Sequence, residues 1–241
     1  MLRVSALFFA AAAVLSSAAA HASIGLNTTR VIIDEGRREA SFGVRNRGGA
    51  VLVQSWLTGP NGEDVDNFTL TPQLVRVRAG GEQLVRVLYS GLGAPADRET
   101  MLWLNVQEIP QRDAEGGNMD VAVLQRIKVF YRPPGLKGSA QAAAENLGWS
   151  VAGSQLVVHN PGAFHITLVN ASLSSAPASP VFDAAVVPPG ETLRFSLRHT
   201  LSGKSGKAAL EYRVVNDFGG QDAYRVMLEG ERPAKPTPVS K

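Results

Sequence analysis

From residue 23 onward, apolar and polar side chains alternate in short runs broken by turn residues. Between Gln83 and Tyr89, Leu84, Arg86 and Leu88 fall on one side of an extended chain, and Val85, Val87 and Tyr89 on the other. The same pattern predicts strands over Ile24–Asp34, Glu39–Asn46, Leu52–Thr58, Leu74–Val77, Met101–Glu108 and Val121–Tyr131. Turn chemistry separates them at Gly48-Gly49, Pro60-Asn61-Gly62, Gly80-Gly81 and Asp113–Asn118. About seven strands in about 110 residues, with turns every ~8–12, is the pattern of an immunoglobulin-like sandwich. Pro133-Pro134-Gly135 breaks the series, because neither proline donates to a ladder. A second series follows over Leu156–Asn160, Ile166–Leu173, Thr192–Leu197, Ala208–Asn216 and Ala223–Glu229. Helical periodicity is confined to the short, Ala-rich Ser139–Asn146. The expectation is an all-β chain with a first domain over 23–136 and a second over 137–232. A disordered tail is expected over 233–241, where three prolines fall among nine residues.

The start of the chain has a different pattern. Met1-Leu2-Arg3 leads into a nearly unbroken small and apolar stretch from Val4 to Leu15, and Ala20-His21-Ala22 fits a small-x-small cleavage rule. About a dozen apolar residues fall short of the ~20 that span a bilayer. Residues 1–22 therefore read as a cleaved export signal, with no membrane span expected after its removal. The sequence has no cysteine, which excludes disulfide staples, thiolate metal sites and thiol nucleophiles. The net charge of +3 comes from 24 basic and 21 acidic residues mixed along the chain, so a nucleic-acid partner is not predicted.

Catalytic and cofactor patterns fail on context. Gly91-Leu92-Gly93-Ala94-Pro95-Ala96 imitates a dinucleotide fingerprint, but a strand follows it where a helix N-terminus is required. Gly203-Lys204-Ser205 lacks the glycine five positions earlier that a phosphate loop needs; Arg198 stands there. His159, His165 and His199 read as ordinary loop and strand-end residues, and no Gly-x-Ser-x-Gly elbow is present. Neither a cofactor nor a metal is expected, and the chain reads as a binding protein rather than an enzyme.

Met119–Tyr131 is the most informative segment. Met119, Val121, Val123, Ile127, Val129 and Tyr131 are apolar, but so are Ala122, Leu124 and Phe130 on the other face. Such a strand is either central in a sandwich or has a face that awaits a partner. An open apolar edge is a hazard that proteins usually blunt, unless accepting another chain is its role.

Four motifs in order then resemble one family, the periplasmic pilus (fimbrial) assembly chaperones. They are Asn27–Ile32, Asp97–Thr100 leading to Leu104–Pro110, Ile127–Pro133, and Asn216–Gly220, and together they span almost the whole chain after the signal. The resemblance implies two immunoglobulin-like domains in an L with a cleft between them. It implies a periplasmic chaperone that caps pilin subunits by lending a strand and delivers them to an outer-membrane usher, without ATP. Met119, Val121 and Val123, with Gln125, would be the lent side chains. Arg30 and Lys128 would hold the subunit's C-terminal carboxylate, and Glu99, Arg132 and Asp217 would form an interdomain ion network. The apolar edge would also be open to self-association. Val123 and Lys128 are five apart, so strict alternation puts them on opposite faces and calls for a bulge or strong twist.

Two features depart from many relatives. The second domain lacks a cysteine pair, and Gln111–Asn118 is short, which points to the short-loop branch that builds rod-like pili. Two other readings stay open on sequence: an exported adhesin or fibre subunit with a closed edge, and a carbohydrate hydrolase with two convergent carboxylates.

Overall fold

The computed structural model describes residues 23–109, 122–174, 180–197 and 207–239. The export signal, Met119 and Val121 lie outside the described residues. The first sandwich contains β1 (Ile24–Leu26), β2 (Arg30–Ile33), β3 (Glu39–Asn46), β4 (Val51–Thr58), β5 (Phe68–Thr71), β6 (Leu74–Val77), β7 (Glu82–Tyr89), β8 (Thr100–Ile109) and β9 (Leu124–Tyr131). One sheet runs β1-β3-β7-β5 and the other β2-β9-β8-β4-β6. In this domain only β2 and β9 pair in parallel among the described strands. The core between the sheets is built from alternate residues: Phe42 and Val44, Val85 and Val87, Leu104 and Val106, and Val129 are fully buried.

The expected single strand over Ile24–Asp34 is two strands on different sheets. The reason lies in Asn27-Thr28-Thr29. The Asn27 side chain accepts the Gly43 N–H at 2.8 Å, and the Thr28 hydroxyl donates to the Arg30 carbonyl at 2.6 Å. These local bonds replace ladder bonds and let the chain cross from one sheet to the other. As a result β2 starts at Arg30.

The second sandwich contains α1 (Ala140–Glu145), β10 (Gly148–Ala152), β11 (Gln155–His159), β12 (Ile166–Leu173), β13 (Pro180–Val187), β14 (Thr192–Ser196), β15 (Lys207–Val215), β16 (Gln221–Glu229) and β17 (Thr237–Pro238). Its sheets run β10-β11-β14 and β13-β12-β15-β16-β17. Ser139 caps α1 by accepting the Ala142 N–H at 3.1 Å, and Ala143 and Ala144 bury the helix against the core. Trp149, Leu156, Leu168, Leu210 and Leu228 fill that core.

The tail departs from expectation. Residues 233–239 run along the second domain: Trp149 and Ala234 exchange backbone bonds of 2.9 and 2.7 Å, β17 pairs with β16, and Val239 N–H donates to Ala223 O at 2.9 Å. The three prolines hold this segment extended, and the N–H groups of Ala234 and Val239, each directly after a proline, are ones that pair. Truncation after Arg232 removes the two Trp149–Ala234 bonds, at about 1 kcal/mol net each. The expected result is a melting temperature lower by about 4–8 °C. An unchanged melting curve would show that the tail adds nothing to the fold.

Candidate functional site

The site begins with the register of β2 on β9. Arg30 lies directly opposite Lys128 in the parallel pair, so both side chains leave the sheet on the same face. That face is covered progressively along β9. Leu124 is half exposed, Arg126 is exposed, Lys128 is half-buried and Phe130 is buried. The second domain provides the cover, with the His165 ring 6.0 Å from Phe130. Arg30 and Lys128 therefore sit at the rim, where the interdomain contact gives way to solvent.

The two cations have aromatic and carbonyl neighbours, but neither has an ion pair among the described residues. Lys128 Nζ lies 5.0 Å from the Trp103 ring centre, and the Arg30 guanidinium 6.0 Å from that of Phe130. Arg30 Nη1 donates to the Val215 carbonyl of the second domain at 3.1 Å, while its buried Nε has no partner. Burial pulls both cations below their ordinary pKa, and for Lys128 the adjacent Arg30 charge adds to the effect. A buried donor without an acceptor and two repelling charges make a site that favours an anion.

The nearest carboxylates are held elsewhere. Arg132 Nε donates to Glu99 at 3.0 Å, and its two terminal nitrogens grip Asp217 in a fork of two 2.8 Å bonds. The other Glu99 oxygen accepts the His165 N–H at 2.8 Å and lies 3.1 Å from the imidazole Nδ1. Glu99 and Arg132 come from the first domain, His165 and Asp217 from the second. Burial pulls the Arg132 pKa down, but the Asp217 bonds and the Glu99 charge outweigh it, so the guanidinium is held above its ordinary value. The three residues read from sequence as an interdomain network thus meet in one. Sequence reading missed His165, which it placed among ordinary strand-end histidines. The Pro161-Gly162 turn ahead of it was legible, but its proximity to a carboxylate 66 positions earlier was not.

β9 supplies the remaining part. Glu108 N–H donates to Val123 O at 3.0 Å, and the pairing with β8 then continues without a shift from Leu124 to Tyr131. There is no bulge in that stretch, so the expected bulge is absent and Val123 and Lys128 do lie on opposite faces. In an antiparallel ladder anchored at Val123, the backbone groups of Leu124 and Arg126 point away from β8. On that side β2 pairs only from Lys128 onward, and no other described strand covers the stretch before it. The edge is therefore open next to the two cations. Val123 is half-buried, and the Gln125 amide donates to Ile24 O at 3.0 Å.

Comparison with known proteins places both domains. The family described as pili and flagellar-assembly chaperone, PapD N-terminal domain, matches residues 23–137. The family described as pili assembly chaperone PapD, C-terminal domain, matches residues 142–226. A probable fimbrial chaperone, LpfB of Escherichia coli, is 35% identical over 210 residues, covering 85% of this chain and 88% of that protein. The crystal structure of the YadV chaperone superposes with a TM-score of 0.69 at 27% identity, over 90% of this chain and all of that one. A Salmonella enterica structure of the SafA pilin with the SafB chaperone matches with a TM-score of 0.73 at 25% identity, over 92% of this chain and 99% of that one.

The hinge network yields a direct expectation. Arg132→Ala leaves the nearly buried Glu99 carboxylate without its cation and should cost about 3 kcal/mol. This would appear as a lower urea midpoint. Arg98→Ala, whose Asp97 contact lies on the exposed surface, should leave the midpoint in place. Equal small effects would mean that the network does not support the interdomain contact.

Proposed function

This chain belongs to the pili-assembly chaperones, and from that premise we propose that it captures pilus subunits in the periplasm by lending β9 as a strand and anchoring the subunit's terminal carboxylate. Subunit chaperoning agrees with the fimbrial chaperones among its relatives and with the chaperone–pilin complex among its structural neighbours. The observation that carries the anchoring mechanism is the in-register pair Arg30 and Lys128, without a carboxylate partner, beside an open stretch of β9.

The geometry determines how a strand is added. A chain paired with β9 before Lys128 would lie end to end with β2, on the same edge. β2 runs parallel to β9 and starts at Arg30. An incoming strand that is also parallel to β9 therefore brings its C-terminus to Arg30, and an antiparallel one would bring its N-terminus. Two cations favour the carboxylate, so parallel addition is selected. Opposite faces for Val123 and Lys128 then present no conflict. Lys128 meets the end of the strand, while Val123 and Gln125 face the interior side of the sheet. Beyond the domain's own core, that side is available to fill a subunit's open groove. Each apolar side chain buried there contributes at most about 1.5–3 kcal/mol.

Delivery to an outer-membrane usher completes the reading, which is of a binding protein with no catalytic step. The same edge is open to a second copy of the chain when no subunit is bound.

Native mass spectrometry of the protein from its host's periplasm tests this. The wild type should carry a one-to-one adduct with a small β-rich protein. Arg30→Ala and Lys128→Ala should each weaken it about 10–100-fold, as expected for a lost charge-assisted bond. A bare chain in all three samples while the host makes fibres would favour the adhesin reading.

Binding should also depend on pH. The bound anion favours the ammonium form, so the Lys128 pKa is higher in the complex than in the free protein. Affinity is full below the depressed free value and falls as pH rises through it, short of the ordinary lysine range. Lys128→Arg should abolish that fall. A flat profile for the wild type would remove Lys128 from the anchor.

A further inference from the structure

The most exposed large apolar side chain among the described residues is Phe218, at 98%. It sits at the tip of the turn between β15 and β16, on a backbone that is fixed from several directions. The Asn216 side chain accepts the Phe218 and Gly220 N–H groups at 3.2 and 2.9 Å and donates to Asp222 at 3.0 Å. Asp217 is held by the Arg132 fork. Gly219 adopts φ 83° against Thr29, the neighbour of Arg30, where a Cβ would come within 2.4 Å of the threonine hydroxyl. The turn is thus wedged between the hinge and the start of β2, and the ring is displayed rather than folded under.

Phe218 lines a cavity of about 210 Å³ together with Arg30, Phe130, Val215 and Asp217. A water occupies about 30 Å³ in the liquid, so there is room for a carboxylate and the side chain attached to it. Arg30 lies at one side of this cavity and the unshielded ring at another. A solvent-exposed aromatic on a rigid support, continuous with a polar anchor, is the composition of a recognition subsite.

We propose that Phe218 packs against an apolar side chain at the C-terminal end of the captured strand, so that the cleft reads the terminal residue as well as its carboxylate. The occupant is the subunit whose carboxylate Arg30 holds, and the inference rests on that anchoring. Phe218 acts as a specificity residue: it selects which termini bind well, and the cations select that a terminus binds at all.

The test uses three synthetic decapeptides with one shared β-forming sequence: one ending in a free-acid Phe, one in a free-acid Ser, and one in an amidated Phe. Fluorescence anisotropy measures their binding to the full chain and to Phe218→Ala, Phe218→Leu and Arg30→Ala. The expected result is that Phe218→Ala weakens the free-acid Phe peptide about threefold to tenfold and leaves the Ser peptide unchanged. Phe218→Leu should fall between. Equal weakening of both free-acid peptides, or none, would overturn the subsite while leaving the anchor standing. Equal binding of amidated and free-acid Phe peptides, insensitive to Arg30→Ala, would overturn the anchor and the subsite together. Phe218 contributes nothing to either core, so a matching melting curve excludes misfolding as the cause.

Discussion

The interaction on which the molecule depends is the grip of one guanidinium on two carboxylates from different domains. Glu99 is almost wholly buried, and a buried carboxylate persists only with a cation and hydrogen bonds around it. Arg132 supplies the cation, and the His165 backbone supplies a donor from the second domain. The planar fork of Arg132 then fixes the direction of Asp217 in a way that a lysine could not. Once that geometry is set, Val215 and the 216–220 turn are held beside β2, and Phe130 is covered. The binding cleft is therefore a product of the hinge. Neither domain forms it alone.

The same placement accounts for an arrangement that would otherwise be costly. Two cations lie next to each other at the rim, one with an unpaired buried donor, and an unpaired strand edge begins beside them. In a protein that only had to be stable, evolution would be expected to pair or blunt each of these features. Here all three meet at one point, and the proposed complement, an extended chain end that carries a negative charge, would satisfy each of them.

Much of this was legible in the sequence because it rests on local signals. Alternation in β7 set apart its two faces, and the Ala-rich Ser139–Asn146 marked the place of α1. The four motifs located the cations and the hinge triad, although nothing in their spacing could show that they meet. What was not legible depended on long-range or backbone effects. The 24–34 segment is apolar enough for one strand, and only the side-chain bonds of Asn27 and Thr28 reveal the crossover. β5 is short, β10 begins at glycine and β13 at proline, so their own residues carry a weak strand signal and the strands they pair with settle them. Proline density in the tail reads as disorder, whereas Pro233, Pro236 and Pro238 hold an extended segment along the second domain, with Pro238 in the edge strand β17. His165 joined the network through a fold contact that no local pattern encodes. The parity conflict between Val123 and Lys128 arose from assigning both to one surface; the ladder shows that they lie on two.

β2 begins where the crossover ends, and that one residue position acts as a doorstop. In the proposed mechanism a strand sliding along β9 would advance until its end meets Arg30 and no further, so its register would be counted from its own terminus. Because side chains alternate, counting from the end also decides which of them face inward. On that mechanism the cleft would sort proteins by topology before it reads their sequence. A strand in the middle of a folded chain has no end to present, however well its side chains would fit, and is turned away. A chain whose final strand is still searching for its place is admitted.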